Sequence, residues 1–338
     1  MRNETLFIDL HRHLDGSVRL QTILELGQQN GLPLPAGTLE SLRPHVQVTQ
    51  PVVGVMAFVA KFEWMQQVMV NTDAVHRIAY ENVADAVNEG IDYLELRFSP
   101  FFMAEKHGLN LTDVVRAVCE GVTRGAADFP IKVNLIGIMS RTYGVENCHR
   151  ELDAILSQHA ARKSQHSQET SIVGLDLAGD EISFPSRLFV DHFRRARESG
   201  LHVTIHAGEV RAGSPHAALA LENIRIAIHE LGAERLGHAV RAVDDPGLLE
   251  LIMERNIGIE SCLTSNLQTS IVSSLVEHPL NTFLEHDLLV TLNTDDPGIS
   301  NITLDHEYQV AAREMGLGAD TLRRLKANAQ RVAFADLG

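Results

Sequence analysis

The chain alternates short apolar runs with longer amphipathic segments. Runs rich in branched apolar residues predict eight strands, at 6–10, 93–98, 132–138, 172–177, 202–207, 235–240, 257–263 and 288–294. Several of these runs show little alternation of apolar and polar positions, which is typical of parallel strands covered by helices. We therefore expect a parallel sheet.

Segments with helical periodicity lie between the runs. In 73–90, apolar residues from Val75 to Val87 recur every three or four positions, and Gly90 supplies a stop; 113–129 is a similar segment. Strands that alternate with helices form right-handed βαβ units, and eight units predict a closed (β/α)₈ TIM barrel. An open doubly wound sheet is the alternative, but no glycine-rich phosphate loop follows the first run.

Two segments interrupt this pattern. The segment 30–50 carries several prolines, so we expect it to be irregular. The segment 157–171 is polar, which predicts a solvated loop or a weak helix end. The histidines in and before it, His149, His159 and His166, are expected at the surface without a ligand role.

Composition favours one large domain and restricts the partners. Of the 338 residues, 44% are hydrophobic, and no linker-like stretch divides the chain, so we predict a single barrel domain over 1–338. The formal net charge of -15 and the lack of a basic run argue against a nucleic-acid partner. Nothing in the composition indicates an obligate protein partner.

The N-terminus and the cysteines bear on location. The chain has neither the apolar core of a signal peptide nor the roughly 18 apolar residues of a membrane span. The three cysteines, Cys119, Cys148 and Cys262, are widely spaced, which does not suggest a disulfide framework. We expect a cytoplasmic protein with reduced thiols and no membrane partner.

Ionisable residues recur where the predicted strands end. His11 and His13 follow the first run, and side chains two apart on a strand point the same way, so both can bind one metal ion. Active sites of such barrels lie at the carboxyl ends of the strands. His206 after the fifth run and Asp295 or Asp296 after the eighth would complete a ligand set, whereas the histidine pair alone is a weak signal.

The motifs at these strand ends resemble a known family. In order, the chain contains "HRHLDG", "LELRFSP", "GLDLAGDE", "HAGE", "LGH", "SCLTSN" and "NTDDP". The series resembles the adenosine deaminase family of metal-dependent amidohydrolases over essentially the whole chain. The resemblance implies a (β/α)₈ barrel with one zinc ion per subunit, which deaminates adenosine and 2′-deoxyadenosine by hydrolysis in purine salvage.

The resemblance also implies catalytic roles. It puts the metal on His11, His13, His206 and Asp295. Glu209 would protonate N1 of the purine, because attack at C6 moves electron density onto N1, and this role requires a carboxyl group whose pKa is raised. His238 would lie beside the metal-activated water and orient it, and Asp295 would also hold that water.

Further residues correspond to the substrate site of the family. Asp296 would meet N7 of the purine, and the backbone N–H of Gly179 would approach N3. His13 and Asp15 are assigned to substrate binding, and Asp15 would accept a hydrogen bond from a ribose hydroxyl. Related adenine deaminases tend to carry glutamate there, so Asp15 favours the nucleoside over the free base. A 5′-phosphate is disfavoured by the lack of a basic cluster.

An apolar segment could cover the purine. Val55, Phe58, Val59 and Phe62 share one helical face. Such a stripe is by default core packing, but it also resembles the family's hydrophobic gate.

Some features leave alternatives open. Zinc suits three histidines and an aspartate, although other divalent metals accept the same ligands. The fourth run ends without the lysine that bridges two metals in many amidohydrolases, which favours one ion. Ala239 replaces a usual glycine beside His238, and 209–232 looks long. An adenine or modified-nucleoside deaminase, another amidohydrolase and a non-catalytic nucleoside-binding protein remain alternatives.

Overall fold

Eight strands form the centre of the molecule. The structure, a computed structural model, describes residues 5–49, 58, 60–164 and 170–337. The strands are β1 (Ile8–His13), β2 (Tyr93–Phe98), β3 (Lys132–Ser140), β4 (Ile172–Ala178), β5 (His202–Ala207), β6 (Arg235–His238), β7 (Gly258–Ser261) and β8 (Leu289–Leu292).

The strands follow one another in chain order around a barrel. Each strand pairs in parallel with the next, from β1 to β8. After β8, a parallel bridge joins Asp295 to Arg12 in β1. There, the N–H of His13 donates to the carbonyl of Asp295 (2.7 Å), and the N–H of Asp295 donates to the carbonyl of His11 (2.8 Å). The predicted (β/α)₈ architecture is confirmed.

Helices lie between the strands and cover them. The α-helices are α1 (Leu20–Gln29), α2 (Leu39–Val46), α3 (Phe62–Gln67), α4 (Thr72–Asn88), α5 (Pro100–Glu105), α6 (Leu111–Asp128), α7 (Val145–Ser164), α8 (Val190–Glu198), α9 (Ala217–Ile226), α10 (Pro246–Glu254), α11 (Leu263–Gln268), α12 (Leu280–Glu285), α13 (Pro297–Ser300), α14 (Leu304–Arg313) and α15 (Ala319–Val332). Short 3₁₀ turns and one π turn, Ala227–Leu231, complete the connections.

Local capping explains where the predicted helices begin. The side chain of Asn71 accepts the N–H of Ala74 (2.9 Å), and α4 begins at the next residue after Asn71. Asn110 does the same for α6 through the N–H of Asp113 (3.2 Å). An N-cap residue satisfies backbone donors that have no partner within the helix. Both helices therefore start one or two residues before the periodic pattern.

The segment predicted to be irregular, 30–50, contains a helix. Thr38 and Ser41 form a capping box for α2, which tolerates Pro44 within its eight residues. The prediction that 30–50 is irregular is therefore wrong for Leu39–Val46.

The sequence predicts a solvated loop or a weak helix end over 157–171, and the structure shows the helix end, because α7 continues to Ser164. The ring nitrogens of His159 lie 3.0 Å from the carbonyl oxygen of Ile172 and 3.2 Å from that of Ser199. These contacts tie the last turns of α7 to the start of β4 and to the end of α8, so this part of the polar segment is packed against the barrel. His166 lies outside the described residues.

Charged side chains and the C-terminal segment close the amino-terminal end of the barrel. Arg235 is fully buried and pairs with Glu95 (2.5 Å) and Glu260 (2.6 Å). The ring of Phe334 lies against this guanidinium, 3.5 Å from ring centroid to Cζ, and the N–H of Phe334 donates to Glu95 (2.6 Å). These paired charges replace the apolar filling expected of a barrel interior.

None of the helices in the described residues combines the length and the apolar character that a membrane crossing requires.

Candidate active site

Three histidines and one aspartate converge at the carboxyl end of the barrel. Ligand atoms of His11, His13, His206 and Asp295 all lie within 4.8 Å of one another. One oxygen, Asp295 Oδ1, is 3.2 Å from Nε2 of both His11 and His13. The Nε2 atoms of His13 and His206 are 3.3 Å apart. The barrel thus brings together side chains from β1, β5 and the segment after β8.

Two buried carboxylates orient these histidines from behind. Glu260 Oε2 lies 2.7 Å from Nδ1 of His11, and Asp176 Oδ2 lies 2.9 Å from Nδ1 of His206. Arg97 bridges the two carboxylates, at 2.9 Å from Asp176 and 2.8 Å from Glu260. A carboxylate on Nδ1 fixes the ring proton there and leaves Nε2 free to bind a cation.

The pKa values agree with this arrangement. Burial raises the pKa of Asp176, but the contact with His206 and the charge of Arg97 outweigh it and hold that pKa below its usual value. Glu260 behaves alike, since Arg97 and Arg235 bring its pKa well below normal despite burial. Burial lowers the pKa of His206 to about 3, so its imidazole is neutral, as a metal ligand must be.

The donor set fits a divalent metal ion. The Nε2 atom of His11 is buried and makes no hydrogen bond with the described residues. An unpartnered buried nitrogen is costly unless something else satisfies it. Three imidazole nitrogens and one carboxylate oxygen around a single point are a usual ligand set for zinc and similar ions.

A left-handed turn presents two adjacent aspartates to the same rim. β8 ends at Leu292, and Asp295 has φ +61°. Because neighbouring residues on a strand face opposite ways, this turn is what allows both carboxylates to reach the site. The Asp296 carboxylate lies over Gly16, where a Cβ would come within 1.7 Å of Oδ1. The glycine of "HLDG" therefore makes room for Asp296.

Asp296 is an unusual carboxyl group. It is buried, and its Oδ1 atom has no hydrogen-bond partner in the part of the chain that the structure describes. Burial and the adjacent charge of Asp295 raise the pKa of Asp296 well above its usual value. A protonated Asp296 can donate a hydrogen bond to a ligand.

Glu209 and His238 lie beside the metal-ligand cluster. The Nε2 atom of His238 is 3.7 Å from Glu209 Oε2 and 3.8 Å from Asp295 Oδ2. Burial raises the pKa of Glu209 to about 7, and the negative charges of Asp295 and Glu181 contribute to the rise. A carboxyl group with such a pKa can act as a general acid near neutral pH. The Glu181 carboxylate also accepts the backbone N–H of Glu209 (2.7 Å).

A cavity of about 230 Å³ opens beside His13 and Asp15. Phe62, Phe102 and Tyr143 supply much of its apolar wall. The Oδ2 atom of Asp15 accepts the N–H of Ser99 (3.2 Å), while Oδ1 makes no hydrogen bond with any described residue. The cavity therefore offers a free acceptor at its polar end and ring surfaces at the other.

Two of the four predicted gate residues can be placed. Phe58 is buried, with its ring 6.0 Å from that of Phe62, and Phe62 lies 5.7 Å from Phe102. Phe62 lines the cavity, so it combines core packing with a place in the site. Val55 and Val59 lie outside the described residues.

Gly179 follows β4 at the rim. Its φ is +103°, and a Cβ there would come within 2.3 Å of Thr142 Oγ1. Both the backbone conformation and the space require glycine at this position. Its neighbour Ala178 lines the cavity, so the backbone of Gly179 lies close to it.

Sequence reasoning missed the groups behind the histidines. Glu260, Asp176 and Arg97 each stand within an apolar run that becomes a buried strand. A charged residue in a buried strand was the available signal, because such a group needs a partner. Asn266 and His278, which lie behind His238, carry no comparable signal in the sequence.

The fold and the site define a class of protein, the metal-dependent hydrolases with an amidohydrolase-type barrel. The chain belongs to the adenosine deaminase family, whose model matches residues 7–337. The adenosine deaminase of Vibrio cholerae is 52% identical over 326 residues, covering 96% of this chain and 92% of the relative. That of Edwardsiella ictaluri is 51% identical over 327 residues, covering 97% and 93%.

Solved structures share the same architecture. An adenine deaminase from Arthrobacter aurescens superposes with a TM-score of 0.83 at 23% identity, over 99% of this chain and 95% of that one. An N6-mAMP deaminase from Arabidopsis gives a TM-score of 0.80 at 26% identity, over 98% and 94%. The comparisons confirm the predicted family, the barrel and an enzyme that deaminates adenosine. The family is metal-dependent, in agreement with the cluster of His11, His13, His206 and Asp295.

Proposed function

We propose that the enzyme deaminates adenosine and 2′-deoxyadenosine with one zinc ion per subunit, bound by three histidines and one aspartate. The ligands are His11, His13, His206 and Asp295. The observation that carries this proposal is the convergence of these four ligand atoms within 4.8 Å, beside a glutamate whose pKa is raised to about 7. A bound divalent ion lowers the pKa of water and makes hydroxide available at neutral pH.

Glu209 is the proton donor in this proposal. Addition of hydroxide at C6 of the purine places electron density on N1, and a neutral carboxyl group can deliver a proton there as charge develops. The half-buried position of Glu209 beside His238 and its raised pKa support this role. His238, with Nε2 between Glu209 and Asp295, orients the attacking oxygen. Asp295 accepts the proton of the water through the oxygen that faces His238 and returns it to the amino group, which leaves as ammonia when the C6–N bond breaks.

Two groups hold the purine ring. N7 and N3 of adenine are both acceptors, so each needs a donor from the protein. The Asp296 carboxyl supplies one for N7 in its protonated form, which its raised pKa favours. The backbone N–H of Gly179 supplies the donor for N3, since glycine has no side chain of its own to block the approach of the ring. Phe62 covers the ring on its apolar side.

Asp15 and His13 face the sugar. The unpartnered Oδ1 atom of Asp15 accepts a hydrogen bond from a ribose hydroxyl, which satisfies a buried acceptor. His13 Nδ1 lies 3.7 Å from this oxygen and holds the carboxylate towards the cavity. No lysine or arginine occurs among the described residues that line the cavity, so a 5′-phosphate would lack a counter-charge.

Domain organisation and location follow the same proposal. We infer one domain over 1–338 and a cytoplasmic location. The three buried cysteines, all free thiols, are compatible with a reducing compartment.

Substrate comparison tests the proposal. The purified enzyme should turn over adenosine and 2′-deoxyadenosine much faster than adenine or adenosine 5′-monophosphate, as measured by the change in ultraviolet absorbance. Asp15→Ala should raise KM for adenosine about 10-fold or more, since it removes the acceptor for the sugar, while the already low turnover of adenine changes little. Elemental analysis should find one zinc ion per chain.

Asp191→Ala is a suitable control, because Asp191 is exposed and lies on α8 away from the site. Faster turnover of adenine than of adenosine would contradict the proposed substrate. Full activity in metal-free enzyme would contradict the proposed ion.

A further inference from the structure

Behind His238, a chain of hydrogen bonds runs away from the active site. Asn266 on α11 places Nδ2 3.0 Å from Nδ1 of His238. Its Oδ1 atom lies 3.1 Å from Nε2 of His278. The chain ends at the backbone N–H of Leu280, at the start of α12, 3.2 Å from Nδ1 of His278. His238, Asn266 and His278 are all buried.

The backbone N–H of Leu280 fixes which atoms donate and which accept along these hydrogen bonds. The N–H of Leu280 can only donate, so Nδ1 of His278 must accept. Burial lowers the pKa of His278 to about 3, so its ring is neutral and carries its single proton on Nε2. This N–H donates to Asn266 Oδ1, which leaves the NH₂ group of Asn266 facing His238. Nδ1 of His238 therefore accepts, and the ring proton of His238 belongs on Nε2.

The opposite side of the ring supports the same assignment. His238 Nε2 faces the oxygens of Glu209 at 3.7 Å and of Asp295 at 3.8 Å. Further titratable neighbours are the rings of His11 and His206, with centroids 5.0 and 5.2 Å from that of His238, and the thiol of Cys262, whose sulfur lies within 4.8 Å of a ring nitrogen of His238. The alternative tautomer would set an N–H against the amide NH₂ group and a lone pair against the carboxylate of Asp295, which is unfavourable on both sides.

We propose that Asn266 and His278 are positioning residues that hold His238 as a hydrogen-bond donor, with its proton on Nε2, towards the attacking oxygen. The inference deepens the role proposed above for His238 and rests on it. With Nδ1 occupied by an amide donor, His238 stabilises the oxygen and does not take its proton. A carboxylate must then accept that proton, and Asp295 is next to His238 Nε2.

Asn266→Asp is the most direct test, because it keeps the size of the side chain and removes the donor. A carboxylate accepts from both neighbours, so the proton of His238 should move to Nδ1. Loss of the correct tautomer should lower kcat about 100-fold or more and change KM little. Zinc content should stay at the wild-type level, since the four metal ligands are untouched. Nitrogen-15 NMR of the zinc-loaded enzyme should show Nδ1 of His238 unprotonated in the wild type and protonated in the variant.

A second pair of variants separates positioning from structure. His278→Ala frees the amide of Asn266 to rotate, and we expect kcat to fall about 10-fold with an unchanged KM. His159→Ala is the matched control, since His159 also contacts two groups through its ring nitrogens but lies at the end of α7, away from the site. Both variants should lower the unfolding midpoint, but only His278→Ala should lower kcat.

Three outcomes would overturn the proposal. They are a wild-type spectrum with the proton on Nδ1, an unaltered kcat in Asn266→Asp, and equal losses of kcat in the two alanine variants. If Asn266→Asp does not fold, the wild-type spectrum and the alanine pair still decide. Failure of the proposed function would look different, because the wild-type enzyme would then not deaminate adenosine while the spectrum still reports the tautomer.

Discussion

The two ends of the barrel interior treat buried polar groups in opposite ways. At the amino-terminal end, Arg235 is paired with two glutamates and covered by the ring of Phe334. At the carboxyl end, His11 Nε2, Asp15 Oδ1 and Asp296 Oδ1 are buried without a hydrogen-bond partner among the described residues. Unpartnered buried groups cost free energy, so the carboxyl end is organised for a ligand and the amino-terminal end for stability.

Glu260 connects the two ends. Its Oε1 atom pairs with Arg235 at the amino-terminal end, and its Oε2 atom contacts His11 and Arg97 on the side of the carboxyl end. The orientation of a metal ligand therefore depends on charges that close the far end of the barrel. The difference between the ends predicts that changes at the rim alter activity, whereas changes at Phe334 alter stability.

Removing the metal should have the largest effect. We expect chelation, or His206→Ala, to reduce deamination to background, because no side chain at the rim can replace the ion as a source of hydroxide. Circular dichroism should show that the barrel remains folded, and added zinc should restore the chelated wild type but not the variant. Substantial activity in the metal-free enzyme would contradict the role given to the rim.

Glu209→Gln should have the next largest effect. The amide cannot donate a proton to N1, so we expect kcat to fall by about 10²- to 10⁴-fold while zinc remains bound. Steady-state kinetics and elemental analysis measure the two quantities. Glu222→Gln, at an exposed ion pair with Arg187, should leave both unchanged. Near-normal turnover of Glu209→Gln would show that another group is the acid.

Phe334→Ala tests the amino-terminal end. Loss of the ring should lower the free energy of unfolding by about 3 kcal/mol, because it leaves a cavity beside the Arg235 guanidinium. Phe334→Leu, which keeps apolar volume, should recover part of this loss. Urea denaturation measures the change, and kcat of the folded enzyme should stay close to wild type. A large loss of kcat without loss of stability would erase the contrast between the ends.

Ala239→Gly should have the smallest effect, and it should raise the free energy of unfolding instead of lowering it. Ala239 has φ +49°, a left-handed conformation that costs an alanine about 1 kcal/mol. Glycine accepts it freely, so the free energy of unfolding should rise by up to about 1 kcal/mol, with kcat within about twofold. A decrease in stability on urea denaturation would show that the methyl group contributes packing worth more than the strain.

Much of the fold could be predicted because parallel strands and helices have local signatures. The runs at 93–98 and 202–207 match β2 and β5, and 73–90 differs from α4 only at its ends. Loop and helix end stayed open as alternatives at 157–171 because composition was the only local signal there. The actual helix is held by contacts of His159 with the carbonyls of Ile172 and Ser199, which no local pattern reports.

Some residues of the candidate site could likewise be predicted from the sequence, and others could not. Whereas the family resemblance chose Asp295 over Asp296, the other proposed metal ligands, His11, His13 and His206, could be predicted because the spacing of His11 and His13 is local and the barrel brings strand ends to one rim. The turn at Asp295 could not, since a left-handed φ in a non-glycine residue is imposed by its surroundings. The relay from His278 through Asn266 to His238 depends on α11 and α12 meeting behind β6, and the sequence contains no sign of it.

By itself, then, the amino-acid sequence determined which segments are strands and which residue types stand at their ends, because both follow from local periodicity. Only the tertiary structure decided which groups face each other, such as Glu260 with His11, 249 positions apart. That choice depends on the register of eight strands around a closed barrel. A shift of one residue in any of them would turn its side chains to the other face, so these contacts exist only in the assembled fold.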